Sequence, residues 1–500
     1  MDKKRSILNV FISMSSKIIL LILTLITKRF LIKFCGNEYN GIESLYISIM
    51  SILAVAELGV GTAITFCMYK PIIENNTEKV ASLFRLFKKI YYIIDLVMLI
   101  IGLLIMPFLK YIMSDYSLTF NEYVSYIIML VTSLITYMYA AERSLIIAHK
   151  DNYVSTLIIS IGTIIQRVFQ IVVVVLTHSF LWYMIARFSI VFIYIAFKIY
   201  TNKKYENVLN EKNEIKLEKK EITNIKKNVY AIFLHKIGDT LVNSIDSLII
   251  SWFLGIYLLG KYSNYITIVV ALTELLTMIF TSLTSIIGHS AIQQNIDKVK
   301  KNYDYLHYLN YIIGFVFYLG YYAIINQLIE IFFGNNLFVD DSVVIIITIN
   351  YFIQYMRKTC MVFKEACGLF YKDRYRSIIE GIVNLILSIL FVNFFGLLGV
   401  ILATIITNIL ICHIVEPYVL YKYEFKMKPY NYYLKNYFFI ISFVLSVIIF
   451  SLIKFQIIDN VYILLLVRGF SSVLFCLIPC IIIFILEKSF YKNIFKFFRK

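Results

Sequence analysis

The chain has 500 residues, of which 60% are hydrophobic and only 16% carry a charge. Soluble domains have about 45–50% apolar and about 25% charged residues, so lipid must be the solvent for most of this chain. The net charge of +17 would suit a nucleic-acid-binding protein, but the charges follow a pattern that excludes this class.

Fourteen apolar segments follow one another along the chain, and each is near the length of about 20 residues that a helix needs to cross a bilayer. Their residues do not alternate as in membrane β-strands. We therefore predict an all-α polytopic membrane protein with about 14 transmembrane helices. The segments lie at about 7–32, 42–66, 90–112, 123–147, 153–177, 180–200, 229–254, 262–288, 306–332, 343–370, 377–395, 397–420, 437–453 and 461–486.

Basic residues are concentrated in alternate loops between these segments. Lys3, Lys4 and Arg5 precede the first segment, and the stretch 198–227 is rich in lysine, whereas the intervening loops hold acids such as Asp340. The positive-inside rule then places both termini in the cytoplasm. The basic excess marks topology and contacts anionic lipid head groups, so we expect membrane lipids and no nucleic acid as partners. The Lys-, Asn-, Ile- and Tyr-rich composition is typical of an AT-rich bacterium, hence of its plasma membrane.

Two parts of the chain resemble each other at a nearly constant offset. Gly36 and Gly41 match Gly255 and Gly260, residues 9–11 match 228–230, and 150–155 match 372–377. The repeat contains six helices, an even number, so both copies enter the membrane in the same direction and a pseudo-two-fold axis runs along the membrane normal.

The duplication predicts the domain organisation. Two six-helix lobes form a transporter architecture around a central cavity, and two further helices follow the second lobe. The predicted parts are an N-lobe at 1–200, a cytoplasmic basic linker at 201–228, a C-lobe at 229–421, helices 13 and 14 at 437–486, and a cytoplasmic tail at 487–500.

Charged residues inside the predicted spans are the candidate site. A charge at mid-bilayer costs about 2.5–3.5 kcal/mol on insertion scales, so each needs a partner or a watery cavity. Lys28, Arg29, Arg187 and Arg468 could instead reach an interface with their long side chains. The cations that we predict to line a substrate-binding cavity are Lys17, Arg143, Arg167, Lys236, Arg357 and Lys358.

Structural ion pairs are the alternative for several of these cations. Lys236 lies one turn from Asp239, and Glu142-Arg143 aligns with Lys364-Glu365 in the repeat. Three acids are candidates for ion coupling or for structural pairing, namely Glu57, Asp239 and Glu274. The seven cysteines and six histidines show no ligand spacing, so we expect no metal, no cofactor and no catalytic residue.

The run Glu57 to Ala63, together with Gly36-x4-Gly41 and Lys70-Pro71, resembles the opening of Wzx-type oligosaccharide flippases of the MATE/MOP exporter superfamily. The resemblance implies that the chain moves undecaprenyl-diphosphate-linked oligosaccharides from the inner to the outer leaflet, for cell-surface polysaccharide biosynthesis. The two lobes would alternate their access around a cavity whose cations bind the diphosphate. It also implies a polymerase and glycosyltransferases of the same pathway as partners.

Two other functions stay open. A MATE-like multidrug or cation antiporter would need carboxylates in its lumen, which Lys17 on the first helix disfavours. A membrane-embedded polysaccharide polymerase or ligase would need a sizeable outer loop, and the longest predicted one has only about ten residues. We therefore predict a transporter and not an enzyme.

The predicted orientation can be tested with reporter fusions. A reporter fused after Asn213 is expected to lie in the cytoplasm and one fused after Asp340 outside, because the basic loops stay inside. Alkaline phosphatase is active only outside and green fluorescent protein fluoresces only inside, so the two reporters give opposite signals at each position. Phosphatase activity after Asn213 would contradict the orientation.

Overall fold

A computed structural model describes residues 2–57, 60–211, 213, 237–238, 240, 242, 244–281, 296–453, 455 and 460–487. Within these residues the chain is 91% helical and contains no strand. The long helices are α1 (Asp2–Cys35), α2 (Asn37–Leu53, continued by Val60–Ile73), α3 (Thr77–Ile112), α4 (Phe120–Ala148), α5 (Asn152–Thr177), α6 (Phe180–Lys204), α7 (Ser244–Leu254), α8 (Ile256–Thr281), α9 (Ile296–Phe333), α10 (Asp341–Met356 and Lys358–Ala366), α11 (376–395), α12 (397–425), α13 (Tyr430–Leu452) and α14 (Val461–Leu486).

This arrangement confirms the predicted polytopic all-α fold with 14 long helices. The apolar run between 377 and 420 divides between the predicted segments 377–395 and 397–420, because the chain leaves helical geometry at Gly396 with φ +55° and ψ −133°. By length and composition alone, eight helices among the described residues could cross a membrane, one of them the joined 371–425 segment. The chain is a multi-pass membrane protein.

Helix α5 presents mostly polar residues to the interior and apolar residues outward, the reverse of a helix in a soluble protein. Its buried face carries Ser155, Ser160, Gln166 and Gln170. Apolar side chains on the other face are exposed, among them Ile161, Val168, Phe169, Val172 and Leu176. Lipid solvates this apolar face, while the polar side chains find their hydrogen-bond partners inside.

The chain forms two compact units, Met1–Ser263 and Asn264–Lys500. In the first unit α1 packs along α5, and α4 packs against α3 and α6. The boundary places α7 and the start of α8 with the first unit, whereas the sequence assigns them to the second lobe. The division into lobes and linker stays a prediction.

The second unit is built around α9, which packs against α10, α13 and α14. Its core is strongly aromatic. Tyr311 stacks on Phe439 with ring centroids 4.1 Å apart, and Phe352 stacks on Phe443 at 3.7 Å. Such stacked pairs add about 0.5–1.5 kcal/mol beyond the area that they bury.

The glycines of the repeat occupy equivalent positions in the first unit. Gly36 and Gly255 both have positive φ, +106° and +91°, and each directly precedes a helix. A Cβ on Gly41 would lie 2.2 Å from the carbonyl oxygen of Ile256, and one on Gly260 would lie 2.5 Å from that of Asn37.

These two close approaches are reciprocal under the 219-residue offset. They let Asn37 donate to the Tyr257 carbonyl at 2.8 Å and Asn40 donate to the Gly260 carbonyl at 2.9 Å. The start of α2 and the start of α8 therefore meet backbone to backbone. Of the two other repeated segments, the one at residues 9–11 has its counterpart, 228–230, outside the described residues.

The close glycine contact predicts an effect on stability. Gly41→Ala and Gly260→Ala each place a methyl group against a carbonyl oxygen, and overpacking of this kind costs about 1–3 kcal/mol. Both variants are expected to unfold at a lower temperature than the wild type in thermal scans of the purified protein. Gly320→Ala is the matched control, because a Cβ there would meet nothing within 4 Å. If Gly41→Ala and Gly260→Ala both unfold at the wild-type temperature, the close contact between α2 and α8 does not exist in the folded protein.

Candidate functional site

A buried carboxylate in the first unit is surrounded by cations. Glu43, on α2, is only 2% exposed. Tyr183 donates its hydroxyl to both Glu43 oxygens at 3.1 Å, and Arg187 Nη1 donates to Oε1 at 3.2 Å. Arg167 Nη1 lies 3.9 Å from the same oxygen. Three helices thus contribute to one charged site.

Helical spacing explains why these side chains meet. Tyr183 and Arg187 are four residues apart at the start of α6, so both point from one face of the chain toward Glu43. Arg167 lies on α5 between Gln166 and Gln170, and these two glutamines belong to the buried face of the helix. Arg167 also donates to Gln170 Oε1 at 3.2 Å, which orients its guanidinium group.

A third cation comes from α1. Lys28 is 8% exposed, and its Nζ donates to the hydroxyl and the carbonyl of Ser263 at 3.2 and 3.4 Å. It lies close enough to both Glu43 and Arg167 to interact with their charges. We call Lys28, Glu43, Arg167 and Arg187 the Glu43 cluster. Among the described residues, its three cations and one carboxylate leave an excess of positive charge.

Two hydrogen-bond donors, one in the Glu43 cluster and one beside it, lack an acceptor in the described part of the chain. Arg187 Nε and Gln170 Nε2 are buried and have no acceptor among the described residues. An unsatisfied buried donor costs about 1–3 kcal/mol, and more when it is charged. An oxyanion would supply both the missing acceptors and the missing negative charge.

The second unit contains a buried charge network of the opposite kind, because its charges balance. Arg357 donates Nε and Nη2 to the two Glu416 oxygens at 3.2 and 2.8 Å and Nη1 to Glu380 at 3.4 Å. Arg376 donates to Glu380 at 2.6 Å, and Lys364 donates to Asp373.

We call these six side chains, from Arg357, Lys364, Asp373, Arg376, Glu380 and Glu416, the neutral network. All of them are buried. Three cations face three carboxylates, so the network holds α10, α11 and α12 together without a ligand.

Two further buried acids of the first unit, Glu142 and Asp151, are paired with lysines. Glu142 accepts from Lys198 at 2.7 Å and lies 3.2 Å from Lys88. Asp151 accepts from Lys204 at 2.5 Å. Glu142 therefore pairs with residues of α3 and α6 rather than with its neighbour Arg143.

The predicted cavity cations occupy different surroundings. Arg167 belongs to the Glu43 cluster and Arg357 to the neutral network, whereas Arg143 is exposed on α4. Lys17 and Lys358 are half-buried, on α1 and α10. Lys236 lies outside the described residues.

The three predicted acids are also separated. Glu57 accepts a hydrogen bond from the Tyr91 hydroxyl at 2.5 Å, and Glu274 is exposed on α8. Asp239 lies outside the described residues. The roles of these acids and of the six cations as site residues stay predictions.

Three members of the Glu43 cluster escaped the sequence analysis. Lys28 and Arg187 were expected to reach an interface, but their side chains turn inward to Ser263 and Glu43. Glu43 stands at the start of the predicted span 42–66, where an acid is read as part of a loop. The spacing of Tyr183 and Arg187 on one helical face is the signal that could have found the site.

The two charged sites predict different responses to mutation. Arg357→Gln leaves two buried carboxylates short of a partner, and breaking a buried ion pair costs about 3–5 kcal/mol. We therefore expect this variant to give little folded protein in the membrane. Arg167→Gln breaks a 3.9 Å contact with Glu43 and a hydrogen bond to the neutral Gln170 amide. Glu43 keeps Tyr183 and Arg187 as partners, so this variant is expected to retain wild-type levels.

A double variant separates charge balance from other effects. Arg357→Gln combined with Glu416→Gln removes one charge of each sign, so part of the lost protein is expected to return. Fluorescence-detected size-exclusion chromatography measures the folded fraction in all three variants. Wild-type levels for Arg357→Gln would show that the neutral network does not stabilise the fold.

Comparison with known proteins supports the architecture. No protein-family profile and no curated protein matches the sequence. Among solved structures, the lipid II flippase MurJ in an inward closed conformation has a TM-score of 0.68 at 16% identity, covering 95% of this chain and 99% of its own. A multidrug-resistance MATE transporter of the MOP superfamily, inward-facing, has a TM-score of 0.67 at 13% identity, covering 83% and 98%.

A third solved structure is a MOP-superfamily transporter from Pyrococcus furiosus. It has a TM-score of 0.55 at 12% identity, covering 88% of this chain and 96% of its own, and it is described as having a binding pocket of reverse polarity that suggests a different function. At these identities the likeness concerns the fold. The chain has the polytopic fold of the MATE transporters and MurJ.

Proposed function

We propose that this chain is a flippase that moves undecaprenyl-diphosphate-linked oligosaccharides from the inner to the outer leaflet for cell-surface polysaccharide biosynthesis. The observation that carries the proposal is the excess of positive charge in the Glu43 cluster, where Arg167 and Arg187 lie within 4 Å of one carboxylate and Lys28 interacts with its charge. A buried site with surplus cations favours an anionic cargo.

The chemistry of the Glu43 cluster suits a diphosphate. Arginine presents a planar fork of donors that matches phosphate oxygens, and lysine adds a compact charge. Charge-assisted bonds of this kind are about twice as strong as neutral ones. The unpartnered donors Arg187 Nε and Gln170 Nε2 would find acceptors on the phosphate oxygens.

The rest of the cargo also fits the surroundings of the site. An isoprenoid tail needs apolar solvent, and the exposed isoleucine, valine and phenylalanine side chains of α5 face such a solvent. Sugar hydroxyls need polar partners, which polar interior faces such as that of α5 offer. We propose that the cargo is carried by alternating access.

The structural neighbours support a transporter, and the positive charge of the Glu43 cluster favours an anionic cargo over a cation. One neighbour is a lipid II flippase and another a multidrug-resistance transporter. A cation exporter would need a carboxylate free to meet its cargo. Glu43 is already held by Tyr183 and by Arg187, so the cluster does not favour a cation.

In the proposed orientation both termini lie in the cytoplasm, because the basic loops lie on the same side of the membrane as the termini. The proposed partners are the glycosyltransferases of the same pathway, which supply the lipid-linked unit, and the polymerase, which consumes it.

The proposal predicts a defined export defect. Arg167→Gln and Lys28→Gln each remove a charge that would bind the diphosphate, and a charge-assisted bond contributes about 1.5–3 kcal/mol. In a strain that lacks the native gene, each variant is expected to reduce surface polysaccharide about tenfold or more at normal protein level. Lipid-linked oligosaccharide should accumulate on the inner leaflet, as in the deletion strain.

The matched control is a cation outside the site. Lys70, near the end of the α2 continuation, has a side chain that is 83% exposed, and its Nζ lies 3.7 Å from Oε1 of Glu74. Lys70→Gln should export like the wild type. Full export by the Arg167→Gln/Lys28→Gln double variant would exclude the Glu43 cluster as the binding site, and a deletion strain without accumulated lipid-linked oligosaccharide would exclude the function.

A further inference from the structure

We infer that Glu43 is a resident anion that occupies the binding site until the phosphate of the cargo displaces it. The inference rests on the proposed function and adds a residue that sets affinity. It concerns a carboxylate that the sequence analysis did not select, at the centre of a cluster of cations.

The bonds that Glu43 makes are bonds that a phosphate can take over. Both carboxylate oxygens accept from the Tyr183 hydroxyl, and Oε1 also faces Arg187 and Arg167. A phosphate offers oxygens of the same charge and acceptor type, in larger number. Glu43 thus fills the place of an anionic ligand and neutralises part of the charge of the empty site.

Glu43 holds the two arginines unequally. Arg187 donates to it at 3.2 Å, whereas Arg167 lies at 3.9 Å and gives its hydrogen bond to the neutral amide of Gln170. The Arg167 side chain is 19% exposed, a larger fraction than that of Arg187 or Glu43. Arg167 is therefore the group that meets an incoming phosphate first.

Lys28 provides a second place for the displaced carboxylate. Its ammonium group is bonded to the neutral oxygens of Ser263 and lies close enough to Glu43 to interact with its charge. A phosphate held by Arg167, Arg187 and Tyr183 would leave Glu43 to pair with Lys28. The charge of every group stays compensated during the exchange, which a low-dielectric site requires.

The exchange explains how a strongly cationic site can also release its cargo. When only a fraction of the molecules has the site open, the apparent affinity falls by that fraction. Glu43 lowers the affinity for phosphate in this way, and it returns to the arginines when the cargo leaves. Without the carboxylate, binding tightens and release slows.

The test measures binding of inorganic pyrophosphate to the purified full-length protein by isothermal titration calorimetry. Glu43→Gln keeps an acceptor for Tyr183 but removes the negative charge. If Glu43 occupies the site about nine tenths of the time, this variant binds pyrophosphate about tenfold more tightly than the wild type. Glu74→Gln, which removes an exposed acid whose side chain is 54% exposed, is the charge-matched control and should bind like the wild type.

A second variant covers the case in which Glu43→Gln does not fold. Glu43→Asp shortens the side chain by one methylene and weakens its hold on the arginines, so its affinity should lie between those of the wild type and Glu43→Gln. A merely structural role for Glu43 predicts equal or weaker binding in either variant, and this result would overturn the inference.

Failure of the inference can be told apart from failure of the function. If Arg167→Gln abolishes pyrophosphate binding while Glu43→Gln leaves it unchanged, the site binds phosphate and Glu43 is not a competing anion. If the wild type and Glu43→Gln both bind no pyrophosphate, and Arg167→Gln exports normally, the Glu43 cluster is not the phosphate site and the inference is wrong. The proposed function itself is wrong if the deletion strain accumulates no lipid-linked oligosaccharide.

Discussion

The cost of charge in a lipid environment organises this protein. Every charged side chain that enters the membrane region needs a counter-charge, a hydrogen-bond partner or water. In the neutral network three cations meet three carboxylates, with Arg357 held by both oxygens of Glu416. In the Glu43 cluster three cations accompany one carboxylate, which contacts Arg167 and Arg187 while Lys28 is bonded to Ser263. The difference separates a site that stabilises the fold from a site that is suited to an anion.

The same constraint decides which side chains α5 buries and which it exposes. In α5 glutamine and serine face inward, and isoleucine, valine and phenylalanine face outward. The polar interior lets Gln170 orient Arg167 beside Glu43. The second unit adds stacked aromatic rings such as Phe352 and Phe443 to its core around α9.

The duplication has a physical counterpart in the first unit. Gly41 and Gly260 allow the starts of α2 and α8 to touch through their backbones, and the asparagines beside them bond across the contact. Glu43 follows Gly41 by two residues on α2. The residue proposed to exchange with the cargo is therefore carried by the helix whose position this contact determines.

The sequence by itself determined the class of the protein, because hydrophobic content, span length and loop charge act locally and add up along the chain. It also located the division at Gly396 and the repeated glycines, since backbone geometry leaves its mark on residue type. It selected Arg167 but not Glu43, Lys28 or Arg187, and it set Arg357 beside Arg167 as an equal candidate. Only the tertiary structure distinguished these cations, because whether a buried charge is neutralised depends on residues from other helices. Glu416 lies 59 residues from Arg357, and Arg187 lies 144 from Glu43; such partners meet through packing, which no local pattern records.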